Sequence, residues 1–191
     1  MTRGPDSVHQ LKVTLRSVKP PVWRRIVVAS DLTLAELAPL LEAAMGWLGG
    51  HLHLFDVDGI TYGMPGPDWD TDDLDERRFR LADVLSEVGA KMRWDYDFGD
   101  GWEHNMVVEA VGPPEPAIDH PICLAGRRAC PPEDCGGPWG YGRLLQALSD
   151  LGGDPDLEEL REWVPPDFDP EHFDPIEVTA DMHSPRPLEG W

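Results

Sequence analysis

Hydrophobic and polar residues alternate on both sides of a short turn in the middle of the chain. Over residues 92–98 and 102–109 every second position is aromatic, apolar or histidine, and Gly99-Asp100-Gly101 lies between the two runs. A period of two on each side of a glycine-containing turn predicts two antiparallel strands joined as a hairpin. We predict a three-residue loop, because a one-residue shift would move every side chain to the opposite face. This register pairs Phe98 with Trp102, Asp97 with Glu103, and Tyr96 with His104.

The predicted register places two carboxylates, those of Asp97 and Glu103, directly opposite each other. Like charges across a strand pair are unfavourable. We therefore expect a cation near them, supplied by Arg93, by a metal ion or by a basic partner. The alternative is that both acids are solvated on an open face of the sheet, where exposed charges interact weakly.

The same periodicities predict a mixed architecture for the remainder of the chain. Alternating residues predict strands at 10–16, 22–28, 51–57 and 60–62. Helices are predicted from the capping box Thr33–Glu36 with a bend before Pro39, at 81–88, at 141–149, and from the starts Asp154-Pro155 and Asp169-Pro170. This order indicates an α+β fold with a β-grasp-like mixed sheet, a packed helix and a small C-terminal helical extension.

We expect the chain to form one domain over residues 8–178. Its parts are a sheet-rich region at 8–111, a connection rich in Pro and Gly at 112–138, and a helical region at 139–178. Residues 1–7 and 183–191 are expected to be flexible tails. The acidic, turn-rich stretch at 64–76 is expected to be a loop.

Acidic residues dominate the chain, with 36 Asp and Glu against 16 Lys and Arg and a net charge of −20. Six of the basic residues lie within the first 30 positions, so most of the surface repels phosphate. The charge argues against nucleic acid as a partner and favours basic proteins or cations. A DNA-associated role would depend on the basic residues Arg16, Lys19, Arg24 and Arg25.

The composition also bears on location. No run of about 18 apolar residues is present, so we expect no membrane span. The first ten residues lack the apolar core of a signal peptide. The three cysteines are an odd number, which fits a reducing compartment better than a disulfide framework. We therefore predict a cytoplasmic protein.

The three cysteines lie close together in the Pro- and Gly-rich connection, at Cys123, Cys130 and Cys135. Their spacing is only loosely typical of structural zinc sites, which need four ligands. His104 or His120 could complete a set, and the candidate ligands of a divalent metal such as zinc are Cys130, Cys135 and His104. The commoner role of such cysteines is that of a small buried residue, which we favour.

Histidines occur in two of the predicted strands. His51 and His53 lie on one face of a strand, a geometry that metal sites use, but we favour half-buried structural histidines here. His104 shares a face with Trp102 in the predicted hairpin. Acidic residues near His104 keep a metal-binding or acid–base role open.

A pair of acids, Glu133 and Asp134, lies between Pro131-Pro132 and Gly136-Gly137. Such a stiffened loop could aim two carboxylates into a cleft. It could equally place acids at the start of the following helix, where negative charge is favourable. P-loop, dinucleotide-binding and nucleophile-elbow motifs are absent from the sequence, which argues against nucleotide chemistry and nucleophilic hydrolysis.

Five segments of the chain form a set with a known order: Pro21–Arg25, Ala44–Trp47 with His53 and Phe55, Tyr96–His104, Ala129–Gly137 with Gly140-Tyr141, and Asp167–Pro170. Together they resemble the plasmid pRiA4b ORF-3-like family. The resemblance covers about residues 8–178 and implies an α+β fold.

The resemblance implies no established biochemical activity. The family occurs on plasmids and as a passenger of insertion elements, and some members carry the label TnpR resolvase. A serine recombinase needs an activated serine among arginines and a basic DNA-binding domain, and the sequence argues against both. The family pattern keeps the Pro-Pro-Glu-Asp and Gly-Gly segments more firmly than the last cysteine. It therefore points to Glu133 and Asp134 rather than to a zinc site.

We predict a binding or interaction module, associated with mobile elements, for a protein or small-molecule ligand. The predicted groove is formed by Trp94, Tyr96, Trp102 and His104 together with the loop at Glu133 and Asp134. The candidate binding residues are His53, Tyr96, Asp97, Asp100, Trp102, His104, Glu133 and Asp134. The alternative is a metal-dependent hydrolase in which a bound divalent cation activates water. Its candidate ligands are Asp97, Asp100, His104 and either Glu133 or Asp134.

Overall fold

The computed structural model describes residues 6–64, 72–115, 118, 120–149 and 154–184. The strands are β1 (Val8–Leu15), β2 (Trp23–Ala29), β3 (His53–Val57), β4 (Ile60–Gly63), β5 (Leu74–Asp75), β6 (Lys91–Tyr96), β7 (Trp102–Gly112) and β8 (Ile122–Arg127). The helices are α1 (Leu34–Met45), α2 (Leu81–Val84), α3 (Gly137–Ser149), α4 (Pro155–Trp163) and α5 (Pro175–His183). A 3₁₀ turn covers Glu76–Arg78.

One mixed sheet contains all the described strands. Its order is β5-β4-β3-β6-β7-β1-β2-β8, with parallel pairing between β4 and β5 and antiparallel pairing elsewhere. The predicted α+β class is confirmed, whereas the β-grasp arrangement stays a prediction. The hairpin β3–β4 joins the central hairpin through pairing of β3 with β6. Across the described ranges, no helix has both the length and the apolar character needed to cross a bilayer.

The first helix forms for the reasons visible in the sequence. Thr33 and Glu36 form a reciprocal capping box, and Gly46 ends the helix in the left-handed conformation with φ 80°. Pro39 lies inside the helix. The buried residues of the helix are Leu34, Leu37, Ala38, Leu41, Ala43, Ala44 and Met45. They share one core with the inward-facing residues of β1, β2, β6 and β7.

The central hairpin forms, but the predicted register is wrong by two residues. Tyr96 pairs with Trp102 rather than with His104, and the loop has five residues, Asp97–Gly101. Asp97 has φ 53°, and its Oδ1 accepts hydrogen bonds from the backbone N–H groups that follow, so an Asx turn closes the loop. A shift of two residues keeps every side chain on its own face, so the alternation cannot detect it.

The opposed carboxylates of the hairpin are therefore those of Asp95 and Glu103. The cation expected near such a pair is present on the same face. Arg93 Nε lies 3.0 Å from Asp95 Oδ2, and Arg16 forms an ion pair with Glu103. Burial raises the pKa of Asp95, and the charge of Arg93 opposes that shift. The predicted pair of Asp97 and Glu103 does not form, and arginines relieve the repulsion within the pair that replaces it.

Two regular elements differ from the prediction in the second half of the chain. Strand β8 lies inside the connection expected to lack regular structure, and it pairs with β2 at the edge of the sheet. The last helix starts at the next Asp-Pro pair along the chain, where Asp174 Oδ1 accepts a hydrogen bond from Ile176 N at 2.7 Å. The Asp169-Pro170 pair does not begin a helix. Two Asp-Pro pairs give the same local signal, and the helix that starts at the second pair packs against α1 and β8.

Some predicted boundaries also change, and others lie outside the described residues. Helix α3 begins at Gly137 instead of 141, and α2 ends at Val84 instead of 88. Helix α5 extends to His183, which was assigned to the C-terminal tail. Most of the predicted tails, at 1–5 and 185–191, and the centre of the acidic loop, at 65–71, lie outside the described residues.

Candidate functional site

The candidate site lies at the end of the sheet where the β6–β7 turn meets the loop before α3. Gly136 N donates a hydrogen bond to Asp100 Oδ2 at 3.2 Å. Gly137 comes so close to the turn that a Cβ on it would lie 2.1 Å from Asp100 O, and its φ is 67°. Only glycine tolerates both conditions. The glycine pair in the sequence is therefore explained by the contact between these two loops.

Glu133 anchors the loop to the core. Its Oε1 accepts a hydrogen bond from Tyr96 Oη at 2.9 Å, and its Oε2 accepts one from Leu48 N at 3.1 Å. Trp47 Nε1 donates to Pro131 O at 2.8 Å, two residues earlier in the same loop. Burial and the charge of Glu133 raise the pKa of Tyr96. The carboxylate of Glu133 is thus occupied by neutral donors that position the loop.

His51 brings together two carboxylates that are far apart in sequence. His51 Nδ1 lies 3.6 Å from Asp97 Oδ1, and His51 Nε2 lies 3.9 Å from Asp134 Oδ1. One ligand atom from each residue lies within 4.8 Å of the others. In the described part of the chain, this is the group of three His, Cys, Asp or Glu side chains whose ligand atoms lie close enough together to be considered for a metal ion.

A second histidine–carboxylate pair is buried in the same region. His53 Nε2 lies 2.8 Å from Glu76 Oε2, and both side chains are buried. Glu42 interacts electrostatically with this pair and with the candidate site. Burial raises the pKa of Glu42, His53 opposes the shift, and Glu133 raises it further. His53, a predicted binding residue, therefore has a partner inside the protein.

The predicted aromatic groove is filled by the protein itself. Trp94, Tyr96 and Trp102 are at most 1% exposed. Trp47 packs against all three, with its ring centroid 4.9 Å from that of Tyr96 and 5.9 Å from that of Trp102. These rings belong to the hydrophobic core, so in this structure they offer no surface to a ligand.

His104 is fully buried between Trp47 and Trp94. Its Nδ1 lies 3.1 Å from Trp94 O and therefore carries the proton, while its Nε2 has no hydrogen-bond partner within the described ranges. Burial lowers the pKa of His104 to about 3, so the ring is neutral at pH 7. The structure does not gather His104 with Asp97 and the other ligands predicted for a hydrolase.

The cysteines also lack the arrangement of a metal site. Cys130 Sγ contacts Arg24 Nη2 at 3.2 Å and Met45 Sδ at 3.7 Å. Burial raises the pKa of the Cys130 thiol, and burial together with the charge of Asp100 raises the pKa of Cys135 to about 12. Both are therefore thiols rather than thiolates at neutral pH. In the described part of the chain, the predicted ligands Cys130, Cys135 and His104 do not form one group.

Three of the four basic residues considered for DNA binding are engaged within the protein. Arg24 is 4% exposed, and its guanidinium donates to backbone carbonyl oxygens, including Ala44 O at 2.9 Å. Arg25 makes two hydrogen bonds to Glu109, and Arg16 pairs with an acid of β7. These three positions therefore do not present free positive charge to a phosphate backbone.

An open cavity of about 390 Å³ adjoins the candidate site at Asp134. Its lining residues are Asp134, Cys135, Arg143, Asp156, Glu159, Leu160 and Trp163. Three carboxylates face one guanidinium in this set, so the cavity carries net negative charge. The guanidinium of Arg143 lies 5.3 Å from the ring centroid of Trp139, which is exposed outside the cavity. Trp163 is 48% exposed.

Comparison with known proteins identifies the relatives of this chain. Residues 7–177 match the plasmid pRiA4b ORF-3-like proteins. The chain belongs to the plasmid pRiA4b ORF-3-like family. It is 42% identical over 158 residues to the uncharacterized protein y4hQ of Sinorhizobium fredii (strain NBRC 101917 / NGR234), covering 82% of this chain and 80% of that protein. The resemblance carried by the sequence motifs is thereby confirmed.

A solved structure agrees with the fold of this pRiA4b ORF-3-like protein. The crystal structure of the protein of unknown function MM3350 from Methanosarcina mazei Go1 matches with a TM-score of 0.82 at 34% identity. The match covers 92% of this chain and 99% of that one.

Sequence reasoning found most of the loops of this pRiA4b ORF-3-like site and missed one partner. Asp97, Asp100, Glu133 and Asp134 all lie where the turn meets the loop before α3. The imidazole between two of these acids belongs to His51, which we interpreted as a structural histidine of a strand. Strand β3 begins only at His53, so His51 precedes it and is half-exposed. The signal in the sequence was the position of His51 directly after Gly49-Gly50, which indicates a loop residue rather than a strand residue.

Proposed function

We propose that the protein is a binding module, without a catalytic role, whose ligand is a basic segment of a protein partner. The relatives described above are proteins of unknown function and leave this assignment open. The observation that carries the proposal is the cavity beside Asp134, where carboxylates surround exposed apolar and aromatic surface. A cytoplasmic location and an association with mobile elements belong to the same proposal and rest on the sequence and the family.

A lysine or arginine side chain matches the chemistry of this cavity. Its aliphatic stem would contact Leu160, and its charged head would pair with Asp156 and Glu159. The face of Trp163 would attract the same cation. The guanidinium of Arg143 contacts the ring of Trp139. Its N–H groups would donate hydrogen bonds to main-chain carbonyls of the bound segment.

The charge of the whole chain supports the same class of partner. A net charge of −20 steers basic molecules toward the surface and repels phosphates and acidic proteins. Arg25 of β2 does not counter this field locally, because it is paired with Glu109. The acidic end of the sheet is therefore the part of the described surface that suits a basic ligand.

The proposal is tested by calorimetric titration in EDTA with a peptide rich in lysine and arginine and a matched peptide rich in glutamate. We expect binding of the basic peptide only, weakened by added salt because ion pairs at the surface are screened. Trp163→Ala should weaken binding by roughly tenfold, as truncation of an aromatic anchor does, and Glu159→Gln should weaken it less.

The matched control is Glu162→Gln, which removes an exposed acid of α4 that does not line the cavity. It should leave the affinity unchanged. Equal losses for Glu159→Gln and Glu162→Gln would show general charge attraction and overturn the proposed site. Equal affinity for the two peptides, or no binding of the basic peptide, would overturn the proposed function.

A further inference from the structure

We infer that His51, Asp97 and Asp134 form a binding site for one divalent metal ion. The donor set is one imidazole nitrogen and two carboxylate oxygens, which suits zinc and, among harder ions, manganese. The inference does not rest on the proposed partner, although Asp134 borders both the ion site and the cavity.

The three ligands come from three separate segments that the fold brings to one point. His51 precedes β3, Asp97 begins the β6–β7 turn, and Asp134 lies in the loop before α3. Donor atoms around one tetrahedral zinc ion are about 3.3–3.6 Å apart, given bonds of about 2.0–2.2 Å. Of the two distances from His51, the 3.6 Å to Asp97 lies at the upper end of that range and the 3.9 Å to Asp134 lies slightly above it. The Asp134 side chain is 76% exposed, so it has the freedom to close on an ion.

The environment of Asp97 points independently to a cation. The residue is only 8% exposed, and its Oδ1 accepts the two hydrogen bonds of the turn. Its Oδ2 accepts no hydrogen bond from any residue in the described ranges, and neither Asp97 nor Asp134 forms an ion pair there with Lys or Arg. A carboxylate buried to this degree is costly without a compensating charge. A divalent ion shared with His51 would supply that charge.

A bound ion would tie the turn, the loop and the segment before β3 to one another. Three protein ligands leave at least one coordination position for water or for a ligand atom, as in zinc sites that are open to solvent. The competing arrangement has no ion, and a protonated His51 bridges the two aspartates. The two arrangements can be distinguished at a pH at which free histidine is neutral. The first predicts that the protein binds a metal ion at that pH, and the second predicts that it does not.

The test uses the full chain, stripped with EDTA, dialysed and titrated calorimetrically with zinc chloride and then manganese chloride at pH 7.5. We expect about one ion per chain and a rise in melting temperature with the ion. His51→Ala, Asp97→Asn and Asp134→Asn should each weaken binding by roughly tenfold or more, since even outer ligands contribute that much. Asn at position 97 still accepts the turn hydrogen bonds and tolerates the positive φ, so the fold is retained.

Two controls separate this site from other carboxylates and from the cysteines. Asp156→Asn removes an acid that lines the cavity but lies outside the ligand group, and it should bind the ion as the unaltered chain does. Cys130→Ser should do the same. No binding by the unaltered chain, unchanged affinity in the three ligand variants, or loss of the ion in Cys130→Ser would each overturn the inference. Peptide binding is measured in EDTA, so failure of one proposal leaves the other standing.

Discussion

The solvent face of the sheet and its hairpin end both carry acids, but the surroundings of those acids differ. On the face, Glu109 accepts two hydrogen bonds from Arg25, and Arg93 lies between two aspartates. At the hairpin end, Asp97 and Asp134 have only His51 as an ion-pair partner among the described residues. Acids of the first kind are neutralised within the protein, whereas acids of the second kind keep their charge available.

This difference shows that net charge alone does not locate a site. A chain of charge −20 could carry its acids as uniformly solvated surface. Here Arg16 and Arg25 form ion pairs with acids of the sheet face. The acids without an arginine partner therefore lie at the hairpin end and on α4. The same arginines that suggested a DNA contact therefore sharpen the contrast between the two regions.

The largest effect should follow from separating the turn from the loop at the hairpin end. In Gly137→Ala, the new Cβ would lie 2.1 Å from Asp100 O at a φ of 67°. We expect a loss of about 3 kcal/mol or more in the free energy of unfolding, measured by urea denaturation, because backbone must move as well as adopt a strained φ.

Gly101→Ala is the matched control for this change. Its φ is 69°, but a Cβ there meets nothing within 4 Å, so it isolates the backbone strain. It should cost about 1 kcal/mol. Similar losses in the two variants would contradict the close packing of turn and loop.

A smaller effect should follow from breaking the paired acids of the sheet face. Hydrogen bonding to Arg25 lowers the pKa of Glu109 to about 2 from its ordinary 4.5. The stabilisation is therefore complete above pH 4.5 and is lost as the pH falls toward 2. Glu109→Gln should lower the free energy of unfolding at pH 7 by about 1 kcal/mol, the upper range for a partly exposed pair.

Denaturation at several pH values checks this prediction. The difference between Glu109→Gln and the unaltered chain should shrink steadily as the pH falls through 4. Glu162→Gln, at an exposed position of α4, should show no difference at any pH. A pH-independent loss in Glu109→Gln would mean that packing, and not the ion pair, stabilises the sheet face.

The smallest effect should have the opposite sign and should appear at the hairpin end. Burial raises the pKa of Glu42, with Glu133 adding to the shift, so its charged form is disfavoured in the folded state. A raised pKa contributes stability below the unfolded value, and that contribution is lost as the pH rises through the folded value. Glu42→Gln should therefore raise the free energy of unfolding at pH 7 by about 0.5 kcal/mol.

Thermal melts at pH 7 and pH 4 test the Glu42 prediction, because the gain should be absent at the lower pH, where the carboxyl group is already protonated. Glu36→Ala on the same helix is a useful contrast, since Glu36 completes the capping box and the loss of its side chain should destabilise the protein. A loss of stability in Glu42→Gln at pH 7 would mean that the acids of the two regions do not differ as described.

Much of the fold could be predicted from local pattern. The faces of β6 and β7, the capping box of α1 and the Asp-Pro start of α4 all depend on neighbours within a few residues. Strand β8 could not be predicted, because its alternation is weak and its pairing partner is β2, about a hundred residues earlier. The hairpin register could not be predicted either, because a shift of two leaves the pattern of faces intact.

The site divides in the same way. The sequence by itself determined which loops carry the acids and glycines, because turn residues and stiff Pro and Gly segments are local signals. Only the tertiary structure decided that Trp47 fills the aromatic groove, that His104 is neutral in the core, and that His51 lies between Asp97 and Asp134. Each of these outcomes depends on which distant segments meet, and that is set by the packing of the whole chain rather than by the residues beside each position.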